Sequence, residues 1–124
     1  MGQAEQSNSV SAFLDLTIVY GDDLTTLSGL RTGRSGLLRT NERDVLPVLR
    51  GCQTQPCYFL GDARLVQTPM LSQWHSLLLR LHNRIADALN NQNDELGFQE
   101  ARRLTIAIFQ RIVYNEWLPL VLGE

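Results

Sequence analysis

Apolar residues in the second half of the chain recur at intervals of three or four, the period of a helix with one buried face. Leu71, Trp74, Leu78, Leu81, Ile85 and Leu89 form one stripe, with Arg80, Asn83, Arg84 and Asp87 mainly on the other side. Thr68-Pro69 is a start signal, a capping hydroxyl followed by proline at the first helical position. The polar stretch Asn90-Asn91-Gln92-Asn93 ends this helix, and Asn93 or Asp94 can cap the next. Phe98, Ala101, Leu104, Ile108 and Ile112 then make a second stripe, with Pro119 and Gly123 marking its end. The pattern predicts helices near residues 71–89 and 98–114, packed antiparallel across a short polar turn.

The first half is less regular. Phe13, Leu16, Ile18, Val19 and Tyr20 predict a buried segment ending at Gly21. Residues 22–31 predict a short helix and Arg34-Ser35-Gly36 a turn, while most of 37–67 carries no definite element. Stand-alone domains of this size usually join their elements in about four to six residues. So long an irregular stretch wraps around something, and this chain has too little for it to wrap. With no repeats, low-complexity tracts or linkers, the sequence reads as one piece of a larger, mainly α-helical protein.

Composition narrows the partners more than the fold. Apolar residues make up 44% and charged ones 19%, ordinary globular values, and the net charge of −2 gives no reason to expect nucleic acid or a membrane surface as partner. The longest apolar runs, such as 77–79 and 118–122, are too short to span a bilayer. Residues 1–11 are small and polar and do not read as a signal peptide, which points to the cytosol only if the chain truly starts there. Cys52 and Cys57 with His75 and His82 give C-x4-C-x17-H-x6-H, which misses zinc-finger spacing. A local disulfide is the better reading of the cysteine pair, and it implies an oxidising compartment.

Three stretches taken together resemble the animal haem peroxidase family. Ser11-Ala12-Phe13-Leu14-Asp15-Leu16-Thr17-Ile18-Val19-Tyr20-Gly21 is similar to its calcium loop and following helix. Gly61-Asp62-Ala63-Arg64 is similar to its distal arginine motif. Gln99-Glu100-Ala101-Arg102 and Tyr114-Asn115-Glu116-Trp117-Leu118-Pro119-Leu120-Val121-Leu122-Gly123 resemble a later helix and its terminal motif, and His82-Asn83-Arg84 sits where the family commonly has that triplet. Each motif alone is weak, but their order, from about Glu5 to the last residue, is specific.

The resemblance implies a single partial haem peroxidase domain over residues 1–124, an antiparallel helix pair plus irregular loops from the family's helical fold. It places the distal histidine before the calcium loop and the proximal histidine after the Leu-Pro-Leu-Val-Leu-Gly motif, both outside this chain. His75 and His82 are then structural, Trp74 and Trp117 core aromatics. The implied cofactors are haem b and calcium, the substrates hydrogen peroxide and an unspecified electron donor, the location extracellular. The alternative within the family is an inactive adhesion or scaffold module. Without its histidines, the isolated segment is expected neither to bind haem nor to turn over.

The assigned residues make chemical sense. Ca²⁺ takes six to eight hard oxygens, and the family pattern uses Ser11 through side chain and carbonyl, Phe13 through its carbonyl, and Asp15 and Thr17 through side chains. That totals about five, so the shell needs a ligand from elsewhere. If the segment is extended, these alternating residues point to one side. Arg64 takes the place of the distal arginine, whose permanently charged, rigid donors can orient peroxide and stabilise charge as the O–O bond splits. Gln67 stands where many members carry a glutamate esterified to a haem methyl, and a glutamine amide cannot form that ester as it stands. Thr68, where some members bond a methionine to haem, rules out the second linkage.

Overall fold

The computed structural model describes residues 10–43, 45–48 and 58–123. The expected cysteine pair, Cys52 and Cys57, lies outside them. Five helices follow in order: α1 (Thr17–Tyr20), α2 (Leu24–Leu30), α3 (Pro69–Leu89), α4 (Asp94–Ile112) and α5 (Leu118–Leu122). A 3₁₀ helix (Ala63–Val66) precedes α3, and a π-turn (Val113–Trp117) joins α4 to α5. Among the described residues the only β pairings are two isolated bridges, Arg31 with Leu38 and Val48 with Tyr58.

Local chemistry sets the helix ends. The Thr68 hydroxyl accepts from Leu71 N–H at 3.2 Å with Pro69 in the first turn, and α3 closes on Asn90 in the left-handed region. The Asn93 side chain caps α4 by accepting from Leu96 N–H at 3.1 Å, ahead of Asp94 and Glu95 in the first turn. With so short a connection, α3 and α4 fold back on each other, and their contact is the backbone of the core. The turn before Leu38 lies flush against the start of α4: a Cβ on Gly36 would meet Phe98 N at 2.4 Å. Arg31 clamps the same place, pairing with Asp94 at 2.7 Å and Glu95 at 2.5 Å while its guanidinium lies 4.3 Å from the Phe98 ring centre.

Three expectations need correction. The buried face of α3 is His75, Leu78, Leu79, His82 and Ala86, so of the predicted stripe only Leu78 is fully buried. Trp74 and Trp117 are 39% and 54% exposed and do not belong to the core formed by the described residues. Pro119 does not end the last helix. The backbone opens into the π-turn, where Leu118 N–H reaches Val113 C=O, and proline sits harmlessly in the first turn of α5. Gly123, at φ 81°, is the stop.

The core gathers Leu16, Val19, Tyr20, Leu30, Leu38, Leu46, Leu60, Leu65, Leu78, Leu79 and Phe98. One polar chain runs through it. Tyr20 O–H donates to His82 Nδ1 (3.0 Å) and His82 Nε2–H to Gly36 C=O (2.9 Å), the tautomer that satisfies both partners. Burial pulls the imidazole pKa down to about 4, against the backbone bond that would raise it, and pushes the Tyr20 phenol up.

Candidate functional site

The segments carrying Asp15 and Arg64 are far apart in sequence and share one cleft of about 690 Å³. Ser11, Phe13, Asp15 and Thr17 line one side and Asp62 and Arg64 the other. Gly61 makes this approach possible. Its N–H donates to Val19 C=O at 3.1 Å, and a Cβ there would lie 2.3 Å from Gly21 N and 2.4 Å from Thr17 O, both backbone atoms. The arginine turn therefore rests directly on the backbone of α1.

On the first side the chain is not extended. Residues 12–15 bend, Leu16 adopts φ 56°, and α1 starts at once, so simple alternation does not describe where Ser11, Phe13, Asp15 and Thr17 point. The cause is Asp15, whose Oδ1 accepts from Thr17 N–H at 3.1 Å and from the Thr17 hydroxyl at 2.5 Å. Ser11 Oγ accepts from Phe13 N–H at 3.2 Å, and Gln110 of α4 donates to Leu14 C=O at 3.0 Å, tying the loop to the helix pair. Burial pushes the Asp15 carboxyl up, but hydrogen bonds from Thr17 and Ser11 outweigh it and hold it below the usual range. Phe13 keeps its ring in solvent, 81% exposed, so what it can offer a cation is its carbonyl.

This donor set consists of hard oxygens around one ionised carboxylate, which suits Ca²⁺ better than a thiophilic metal. It is not a complete cage: among the described residues no group of three or more His, Cys, Asp or Glu side chains gathers.

On the second side, the Asp62 side chain accepts from Arg64 N–H at 2.8 Å and starts the 3₁₀ helix. Leu65 is buried beneath it, and Ser72 Oγ–H donates to Leu65 C=O at 2.7 Å, fastening the turn to α3. The Arg64 guanidinium is turned toward Asp62, with its side chain 59% exposed. That contact holds the Asp62 carboxyl well below the usual range despite burial, with His75 of α3 acting in the same direction, and raises the arginine further. Gln67 follows at the end of the 3₁₀ helix and is exposed. Sequence reasoning singled out Arg64 and passed over Asp62, although an aspartate directly ahead of a short turn is a cap signal.

Both histidines are buried on α3. Both ring nitrogens of His82 are engaged in the core. His75 is 4% exposed, with Nδ1 at 2.7 Å from Leu71 C=O and Nε2 buried without a partner.

A family model described as animal haem peroxidase matches residues 1–124. A peroxidase of Drosophila melanogaster is 42% identical over 98% of this chain and 20% of its own length. The chorion peroxidase of Aedes aegypti is 38% identical over 100% of the chain and 17% of its own length. Among solved structures, peroxidase A from Dictyostelium discoideum superposes with a TM-score of 0.80 at 30% identity, over 93% of this chain and 26% of that one. The chain thus spans about a fifth of the length of the curated relatives it matches.

Proposed function

Because the chain belongs to the animal haem peroxidase family, we propose that it is a segment of an enzyme that oxidises an electron donor with hydrogen peroxide, reducing the peroxide to water. Arg64 is the distal arginine of that enzyme, and Ser11, Phe13, Asp15 and Thr17 supply part of a calcium site beside it. The supporting observation is that Gly61 seats the arginine turn on the helix begun by Asp15 and Thr17, so that both lie in one cleft. Extracellular location and a Cys52–Cys57 disulfide belong to the same reading.

When bound, haem supplies the redox chemistry. The part played by this chain is electrostatic. Arg64 donates hydrogen bonds to a peroxide oxygen and stabilises the negative charge that builds up there as the O–O bond breaks. Its charge does not depend on pH in any working range, so it needs no proton bookkeeping of its own. The calcium ligands hold α1, and through Gly61 they hold the arginine turn.

The test is Arg64→Ala in the full-length enzyme. Loss of one such donor should slow reaction with peroxide by about a hundredfold or more while haem stays bound. Arg64→Lys should recover only part, since an ammonium keeps the charge without the planar fork. Stopped-flow absorption measures the rate and the haem band measures occupancy. An Arg64→Ala enzyme with full haem and the parent rate would remove Arg64 from the mechanism.

A further inference from the structure

Asp62 makes four close contacts with Arg64. Its Oδ1 accepts from the Arg64 backbone N–H at 2.8 Å and from Nε–H at 3.0 Å. Its Oδ2 accepts from Nε–H at 3.0 Å and from Nη2–H at 2.5 Å. A guanidinium carries five N–H groups in one plane. This fork occupies the side edge, using Nε–H and one N–H of Nη2. The end edge, with one N–H from each terminal nitrogen, points away from the carboxylate and makes no further hydrogen bond among the described residues.

The carboxylate is better anchored than the arginine it holds. Its side chain is 13% exposed against 59% for Arg64, it caps the 3₁₀ helix, and it follows Gly61, which is fixed to α1 by a backbone bond. An arginine so exposed has many rotamers of similar energy, and a donor that must be searched for at each encounter contributes less to the transition state than one already in place. Resting on the reading of Arg64 above, we propose that Asp62 is a positioning residue: it fixes the plane and direction of the Arg64 guanidinium so that the end edge is presented to peroxide.

The experiment is a double-mutant cycle in the full-length holoenzyme, comparing parent, Asp62→Asn, Arg64→Ala and the double variant. Two quantities are read: the second-order rate with hydrogen peroxide, and the Kd for cyanide, which senses distal donors without turnover. Asn keeps a capping oxygen for the Arg64 N–H but places an amide against the guanidinium. Asp62→Asn should slow the peroxide reaction about tenfold, the loss expected from a displaced donor, and weaken cyanide binding in parallel. In the Arg64→Ala background the same change should have no further effect, because Asp62 acts through the arginine. Asp62→Ser, a capping hydroxyl that cannot make the fork, is the second variant and should match Asp62→Asn. If Asp62→Asn and Asp62→Ser equal the parent in both readouts while Arg64→Ala is slow, Asp62 does not position the arginine. A double variant slower than Arg64→Ala alone likewise overturns the proposal. Parent-like Arg64→Ala defeats the underlying assignment instead, so the two failures are distinct.

Discussion

His82 is fully buried, and its ring joins α1 to the turn at Gly36 through bonds on both nitrogens. Protonation would set Nδ1–H against the Tyr20 hydroxyl hydrogen and place a charge in the core near Arg31 and Arg102. Folding depresses this pKa from 6.5 to about 4, so between those values the unfolded chain binds more protons. The contribution to stability is complete above about pH 6.5, shrinks as pH falls, and is gone near pH 4, a change of roughly 3 kcal/mol. Thermal melts of the protein from pH 7 to pH 4 should show a steeper loss than those of His82→Gln. Tyr20→Phe should cost about 1–3 kcal/mol, since it strands a buried acceptor. At the end of the 3₁₀ helix, Gln67→Glu tests a different property. If position 67 faces a haem methyl, the variant should retain haem on a denaturing gel where the parent releases it. The departure at position 67 is visible in sequence because it is chemical, an amide in place of a carboxylate. The Tyr20–His82 bond could not, because 62 residues separate the partners and a lone histidine on an apolar stripe does not reveal what it touches.

The helix starts were legible because capping is local: Thr68, Asn93 and their first-turn neighbours carry it in a few residues. The buried faces were not. Hydrophobic periodicity credits Leu71, Leu81 and Leu89 and overlooks His75, His82, Ala86, Gly97 and Thr105, which are buried because they are small or hydrogen-bonded. Gly61 was legible only as part of a motif. Its physical reason is the backbone of α1 pressed against its Cα. Gly61→Ala should therefore destabilise the protein by on the order of 1–3 kcal/mol, visible as a lower Tm. It should also slow the peroxide reaction with Arg64 and Asp62 intact, by moving the arginine turn off α1. An unchanged rate would show that the docking is structural only.

Large apolar side chains remain uncovered over the described residues: Met70, Leu120 and Leu122 are 80%, 84% and 72% exposed. The curated relatives that match are about five times longer than this chain. What the proposed calcium ligands contribute should show in the full-length protein. Chelation of Ca²⁺ should lower its Tm, and Asp15→Ala should lower the Tm and abolish most of the chelator's effect, both followed by calorimetry. A melt indifferent to chelator would leave Asp15 as the local hook for Thr17 and nothing more.

The π-turn before Pro119 acts as a setting of phase. An α-helix advances about 100° per residue, so one added residue rotates everything beyond it by that angle. Deleting Asn115 should let α4 run straight into α5 as a regular helix, with a gain in helical signal. Leu120 and Leu122 should keep their bearing, because the bond from Leu118 N–H to Val113 C=O already absorbs the extra residue that would turn a regular helix by about 100°. A one-residue deletion between 113 and 118 is therefore expected to be better tolerated than one inside α4, which would turn everything beyond it by about 100°.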